Sequence, residues 1–72
     1  MRITKEGLIG YNINDCVYIW YNSPSTQLGL IIDIDINNPN PYFIELNNKN
    51  KERFWINAKN IDHQRTLANM FK

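Results

Sequence analysis

The chain is short of the residues that staple, coordinate or catalyse. It has one cysteine, Cys16, and one histidine, His63, in 72 residues. A single cysteine excludes an intrachain disulfide, and a reducing, cytoplasmic setting is expected over secretion. Long apolar runs are also missing. No stretch approaches the ~20 residues of a membrane span, and the start, MRITKEGLIGYNIND, lacks the apolar core of a signal peptide. A soluble chain without a membrane partner is expected. Charge of one sign is missing too: eight Lys and Arg stand against seven Asp and Glu, a net charge of +1. Such a balance leaves no electrostatic footprint for a polyanion. No phosphate-binding glycine loop, metal signature or nucleophile elbow is present. The expectation is therefore a non-enzyme with no cofactor and no metal.

Length sets the next bound. Residues 1–72 suffice for one domain, near the lower limit of what folds unaided. At this size the stability margin is roughly 3–5 kcal/mol, which makes a homodimer or a bound partner a reasonable expectation. Asparagine and isoleucine dominate, with twelve and eleven copies. Both are favoured by A/T-rich codons, so a bacteriophage, a prophage or a low-GC bacterium is the expected source.

What is abundant is strand pattern. Gln27 to Ile36, QLGLIIDIDI, is the most apolar stretch, and its second half alternates Ile32, Ile34 and Ile36 against Asp33 and Asp35. Cys16 to Tyr21 sets Val17, Ile19 and Tyr21 against Cys16, Tyr18 and Trp20. Tyr42 to Leu46 sets Tyr42, Ile44 and Leu46 against Phe43 and Glu45. Glu52 to Asn57 sets Phe54 and Ile56 against Arg53 and Trp55. Turn chemistry separates these runs: Asn22 to Thr26, Asn37 to Pro41, and Asn47 to Lys51, where an asparagine is expected in the left-handed region. Ala58 to Asn60 has the length of one 3₁₀ turn, and Ile61 to His63 that of a short closing strand. From Gln64 the period changes. Leu67, Met70 and Phe71 share one helical face, and Asp62 is placed to cap it. Before Asn14, Arg2 to Thr4 reads as a brief strand, Lys5 to Gly7 as a turn, and Leu8-Ile9 as an apolar anchor.

The residues Asp15-x-Val17-x-Ile19, Gly29-x-Ile31-x-x-Ile34, Tyr42-Phe43-Ile44 and Phe54-Trp55-Ile56-x-Ala58-x-x-Ile61 resemble the core pattern of SH3-like barrels. KOW, Tudor and bacterial SH3-like domains share it. The resemblance covers about residues 14–62 and implies an all-β fold: a small SH3-like barrel of four to five antiparallel strands with a short C-terminal helical tail, 63–72. It makes Ile31 and Ile34 core, and Gly29 a point of bending or close approach. Ile31 and Ile34 have opposite parity, so a β-bulge near Ile32 or Asp33 is expected. Two departures bear on function. Asp33 and Asp35 follow Gly29 where a KOW-type RNA-binding loop carries basic residues. The acidic loop and paired prolines of peptide-binding SH3 domains are missing, so proline-peptide binding is not implied.

Strand parity then yields candidate contact residues. Tyr18, Trp20, Arg53 and Trp55 are expected to face outward, together with Tyr42 or Phe43. Exposed Trp, Tyr and Arg have the composition of an interaction hot spot. Lys49, Lys51 and Arg53 form a small basic hairpin that could meet an anion. Asp33 and Asp35 form an acidic strand face that discourages edge pairing or meets a basic partner. Cys16 reads as a packing residue and His63 as a surface or capping residue. The first functional reading is a non-catalytic protein-interaction module of phage or mobile-element origin that binds and inhibits a host protein. The alternatives are a binder of RNA or single-stranded DNA, and a structural part of an oligomeric assembly.

Overall fold

A computed structural model describes residues 2–3, 9–21 and 24–70, with side chains described from Gly10 to Asn69. Its centre is an antiparallel meander of four strands: β3 (Cys16–Trp20), β4 (Thr26–Ile34), β5 (Tyr42–Leu46) and β6 (Arg53–Ile56). They lie side by side in chain order. Two short strands, β1 (Arg2–Ile3) and β2 (Ile9–Gly10), pair with each other ahead of the sheet. The expected Lys5–Gly7 turn lies outside the described residues. After β6 come a 3₁₀ turn, Ala58–Asn60, and one helix, α1 (His63–Met70).

Burial follows the period-two alternation because one face of each strand covers a common core. Val17, Ile19, Ile31, Ile44, Leu46, Ile56 and Ile61 are buried, with Tyr21, Ile34, Tyr42 and Phe54 packed against them. The β4–β5 register advances from Ile31↔Ile44 to Asp33↔Phe43, leaving Ile32 as the extra residue of a bulge. That irregularity lets Ile31 and Ile34 reach the same core from opposite parities. A bulge of this kind bends the strand that carries it. The irregularity lies at Ile32 and not at Gly29. A Cβ at Gly29 would meet Glu45 O and Ile44 Cδ1 at 3.5 Å, an ordinary contact. A Gly29→Ala change is therefore expected to leave the thermal midpoint unchanged or raise it slightly, by up to ~1 kcal/mol through the unfolded chain. A drop of several degrees in a thermal melt would show a close approach after all.

The expected closing strand is reduced to one antiparallel bridge, Ile19↔Ile61, because the chain turns into α1 two residues later. Asp62 N–H donates to Tyr18 O at 2.8 Å, and Tyr18 N–H donates to Thr66 Oγ1 at 3.0 Å. The outward backbone groups of Tyr18, at the middle of the β3 edge, are thus satisfied by Asp62 and Thr66. Asp62 caps the helix, its Oδ1 accepting from Arg65 N–H at 3.1 Å. Among the described side chains of α1, Thr66 and not an aliphatic residue is the fully buried one. Of the expected face, Leu67 is half-buried, while the Met70 side chain and Phe71 lie outside the described residues.

The asparagines gain a structural role beyond codon composition. Asn38, Asn48 and Asn57 accept from backbone N–H groups two or three residues ahead, as Asp35 does. At the β5–β6 tip Asn48 takes that capping position, so the left-handed residue is Lys51, with φ 50°, and not an asparagine.

Candidate interaction surface

Placing the candidate residues requires the sheet's outer face. Cross-strand register puts Cys16, Leu30, Glu45 and Arg53 in one row across all four strands. Toward one end lie Tyr18 beside Leu28, then Trp20 beside Thr26. Toward the other lie Asp33, Phe43 and Trp55. Trp20 and Trp55 are therefore some six strand positions apart in level and on opposite strands of the sheet. Trp55 packs on Phe43, while Trp20 lies with Thr26 on the far side of Tyr18. The aromatics form two patches, not one.

The first patch lies on β3 and β4. Trp20 is 45 % exposed, and the Tyr18 ring carries the Arg65 guanidinium at 4.5 Å from its centroid. Beside them runs an open groove of about 230 Å³, lined by Cys16, Leu28, Leu30 and Glu45 and ending at Lys51. Leu28 and Leu30 are half-buried, yet they stand on the face opposite the core. Cys16 is exposed here, because its parity points it away from the core, so it does not pack.

The second patch is Phe43 against Trp55, ring centroids 4.8 Å apart, with Asp33 in the same row. Tyr42 does not join it. Its parity turns it toward the core, where its ring meets Tyr11 at 5.9 Å in an edge contact. Of the basic residues, Arg53 reaches Glu45 at 3.8 Å, an exposed pair of little energetic weight. Lys51 borders the groove, and Lys49 is exposed at the hairpin tip. Asp33 and Asp35 spend oxygens on local backbone donors, Ile34 N–H and Asn37 N–H.

His63 is more than a surface or capping residue. Its Nδ1 lies 2.6 Å from the hydroxyl of buried Tyr11. Burial first, then the charges of Tyr42, Asp15 and Asp62, push the Tyr11 phenol up to about 12. The phenol stays protonated at neutral pH, and its hydrogen bond with His63 joins the segment before β3 to the first turn of α1. An unfolded tyrosine ionises near pH 10, so the folded state alone keeps this proton between pH 10 and about 12. Stability from this group is full below pH 10 and is lost as pH rises through about 12. The loss is on the order of 2 kcal/mol. Urea titrations from pH 9 to 12 should show that slope in the wild type and a flatter one in Tyr11→Phe. Equal slopes would remove Tyr11 as the cause.

Tyr11, His63, Leu28 and Leu30 are what strand parity alone did not locate. The available signal was the run Leu28 to Ile32, apolar at both parities, which implies apolar side chains on both faces. Among the described residues, no group of three His, Cys, Asp or Glu side chains is placed to hold a metal ion, and no helix is long and apolar enough to cross a membrane. A scan against protein-family models found no match, and searches of curated proteins and of solved structures likewise found none.

Proposed function

We propose that this chain is a non-catalytic protein-interaction module that binds its partner through the outer face of β3 and β4. The observation that carries the reading is the apolar groove over Leu28 and Leu30, on the outer face that also bears Trp20. Leu28 and Leu30 face away from the core, half-buried, and line that open groove. A small domain whose core is already filled gains nothing from leucines on that face unless something covers them. An exposed Trp, a Tyr–Arg stack and a rim of Glu45 and Lys51 give the surface the usual aromatic centre and charged border of a contact site. The scaffold reading is an SH3-like barrel. It draws support from the Ile32 bulge, the 3₁₀ turn, the Ile19↔Ile61 bridge, and the Tyr21 ring just after β3 lying 4.0 Å from that of Phe54 on β6. Phage or mobile-element origin and a host protein as the target remain part of the same proposal, resting on composition.

The nucleic-acid alternative draws less support. Arg53 is drawn to Glu45 and Arg65 to Tyr18, so the cations do not line one track. The test is affinity capture from a low-GC bacterial lysate with the wild type and a Leu28→Asp, Leu30→Asp variant of matched thermal midpoint. One discrete protein should be retained by the wild type and lost from the variant. Equal retention by both overturns the surface. Salt-sensitive binding of RNA or single-stranded DNA at micromolar protein, read by fluorescence anisotropy, would favour the alternative instead.

A further inference from the structure

The two edges of the sheet are treated differently. At the middle of the β3 edge both outward backbone groups of Tyr18 are taken, by Asp62 and Thr66. Among the described residues the β6 edge has no such cover. Leu46 N–H donates to Glu52 O at 2.8 Å, which makes Leu46 and Glu52 a hydrogen-bonded pair and fixes the alternation along β6. Phe54 and Ile56 then turn their backbone groups to β5. Arg53 and Trp55 turn theirs outward, and among the described residues nothing meets them. The edge stops at Asn57, whose N–H donates to Asn60 Oδ1 at 3.3 Å. An open edge usually carries a lysine, a proline or a bulge that discourages pairing. Within β6 the only such device is the charge of Arg53.

We infer that β6 is a self-association edge, pairing antiparallel with β6 of a second copy about a two-fold axis through Phe54. The register follows from the side chains. Centred on Phe54, each Arg53 faces Trp55 of the other copy, and both residues offer outward N–H and C=O groups. Two hydrogen-bonded pairs then form, roughly four backbone bonds in all. On the outer face each guanidinium lies against the opposite indole, a favourable cross-strand cation–π pair. Centring on Arg53 would oppose two guanidiniums. Centring on Trp55 would bring Arg53 against Asn57, whose N–H is already taken. The Phe43–Trp55 contact holds the indole on the outer face, and the Tyr21–Phe54 contact holds the alternate side chain inward. This pairing uses the patch away from the β3–β4 groove, so it stands or falls independently of the partner-binding reading.

The test is sedimentation velocity of the full chain from about 1 µM to 1 mM, made by total chemical synthesis with and without an N-methyl group on Trp55. Methylation removes one edge donor and keeps every side chain, and the Trp55 N–H is not part of the β5–β6 ladder. The unmodified chain should dimerise with rising concentration. The N-methyl chain, with an unchanged thermal midpoint, should dimerise at least ~10-fold more weakly. Amide exchange should slow at Arg53 and Trp55 as the unmodified protein is concentrated, which does not depend on the synthetic variant. A monomer at every concentration overturns the inference. So does a dimer indifferent to the methyl group with no change in exchange at Arg53 and Trp55.

Discussion

Ile44→Ala is expected to unfold most of the protein at 37 °C. Ile44 lies on β5, between Ile31 of β4 and Phe54 of β6 in register, and its side chain is fully buried. Removing a buried Ile side chain to Ala costs about 2–5 kcal/mol, since the cavity cannot fully collapse against neighbours held by their own ladders. A domain of this size has a margin of roughly 3–5 kcal/mol. The cost and the margin are comparable, so the folded fraction should fall steeply. Ile36→Ala is the matched comparison. Ile36 is 87 % exposed, and its truncation should stay within ~0.5 kcal/mol. Urea unfolding followed by circular dichroism checks both. A change below ~1 kcal/mol at Ile44 would mean that the core is not centred where β5 places it.

Thr66→Val should cost about 1–3 kcal/mol, more than its size suggests. The change is nearly isosteric, and the methyl contacts survive. What disappears is the acceptor for Tyr18 N–H, now at 3.0 Å from the Thr66 hydroxyl. An edge donor left beneath a helix without a partner costs its full desolvation. Thr66→Ser keeps the hydroxyl and should recover part of the stability. Faster amide exchange at Tyr18 in the Val variant, and not in the Ser variant, would identify the lost bond as the cause. Similar losses in both variants would assign the effect to packing of the methyl group.

These two residues mark what could be read from sequence and what could not. Ile44 was legible because alternation across Tyr42 to Leu46 forces one parity inward. The same logic placed Val17, Ile19 and Ile56. It also required a bulge near Ile32, since Ile31 and Ile34 could not otherwise share a core, and the β4–β5 register shifts there. Thr66 was not legible, because a polar residue on a short helix reads as solvent-facing until the edge it caps is known. Tyr11 lies between a glycine and an Asn-rich turn with no period to betray burial. The site was half legible. Parity turns Tyr18, Trp20 and Trp55 outward and leaves the choice between Tyr42 and Phe43 open, and it carries no information on distance, so it does not separate the two patches. Leu28 and Leu30 were hidden inside an apolar run where hydrophobicity no longer distinguishes the faces.

The proposed partner surface can be tested in cells by photo-crosslinking from position 20. A benzophenone amino acid replaces Trp20, one same-face row beyond Leu28, and a control chain carries it at Asn37, an exposed turn position beyond the opposite end of β4. A covalent adduct of one discrete mass is expected from position 20, abolished by Leu28→Asp with Leu30→Asp, and none of that mass from position 37. The same adduct from both positions, or none from position 20 in folded protein, would contradict it.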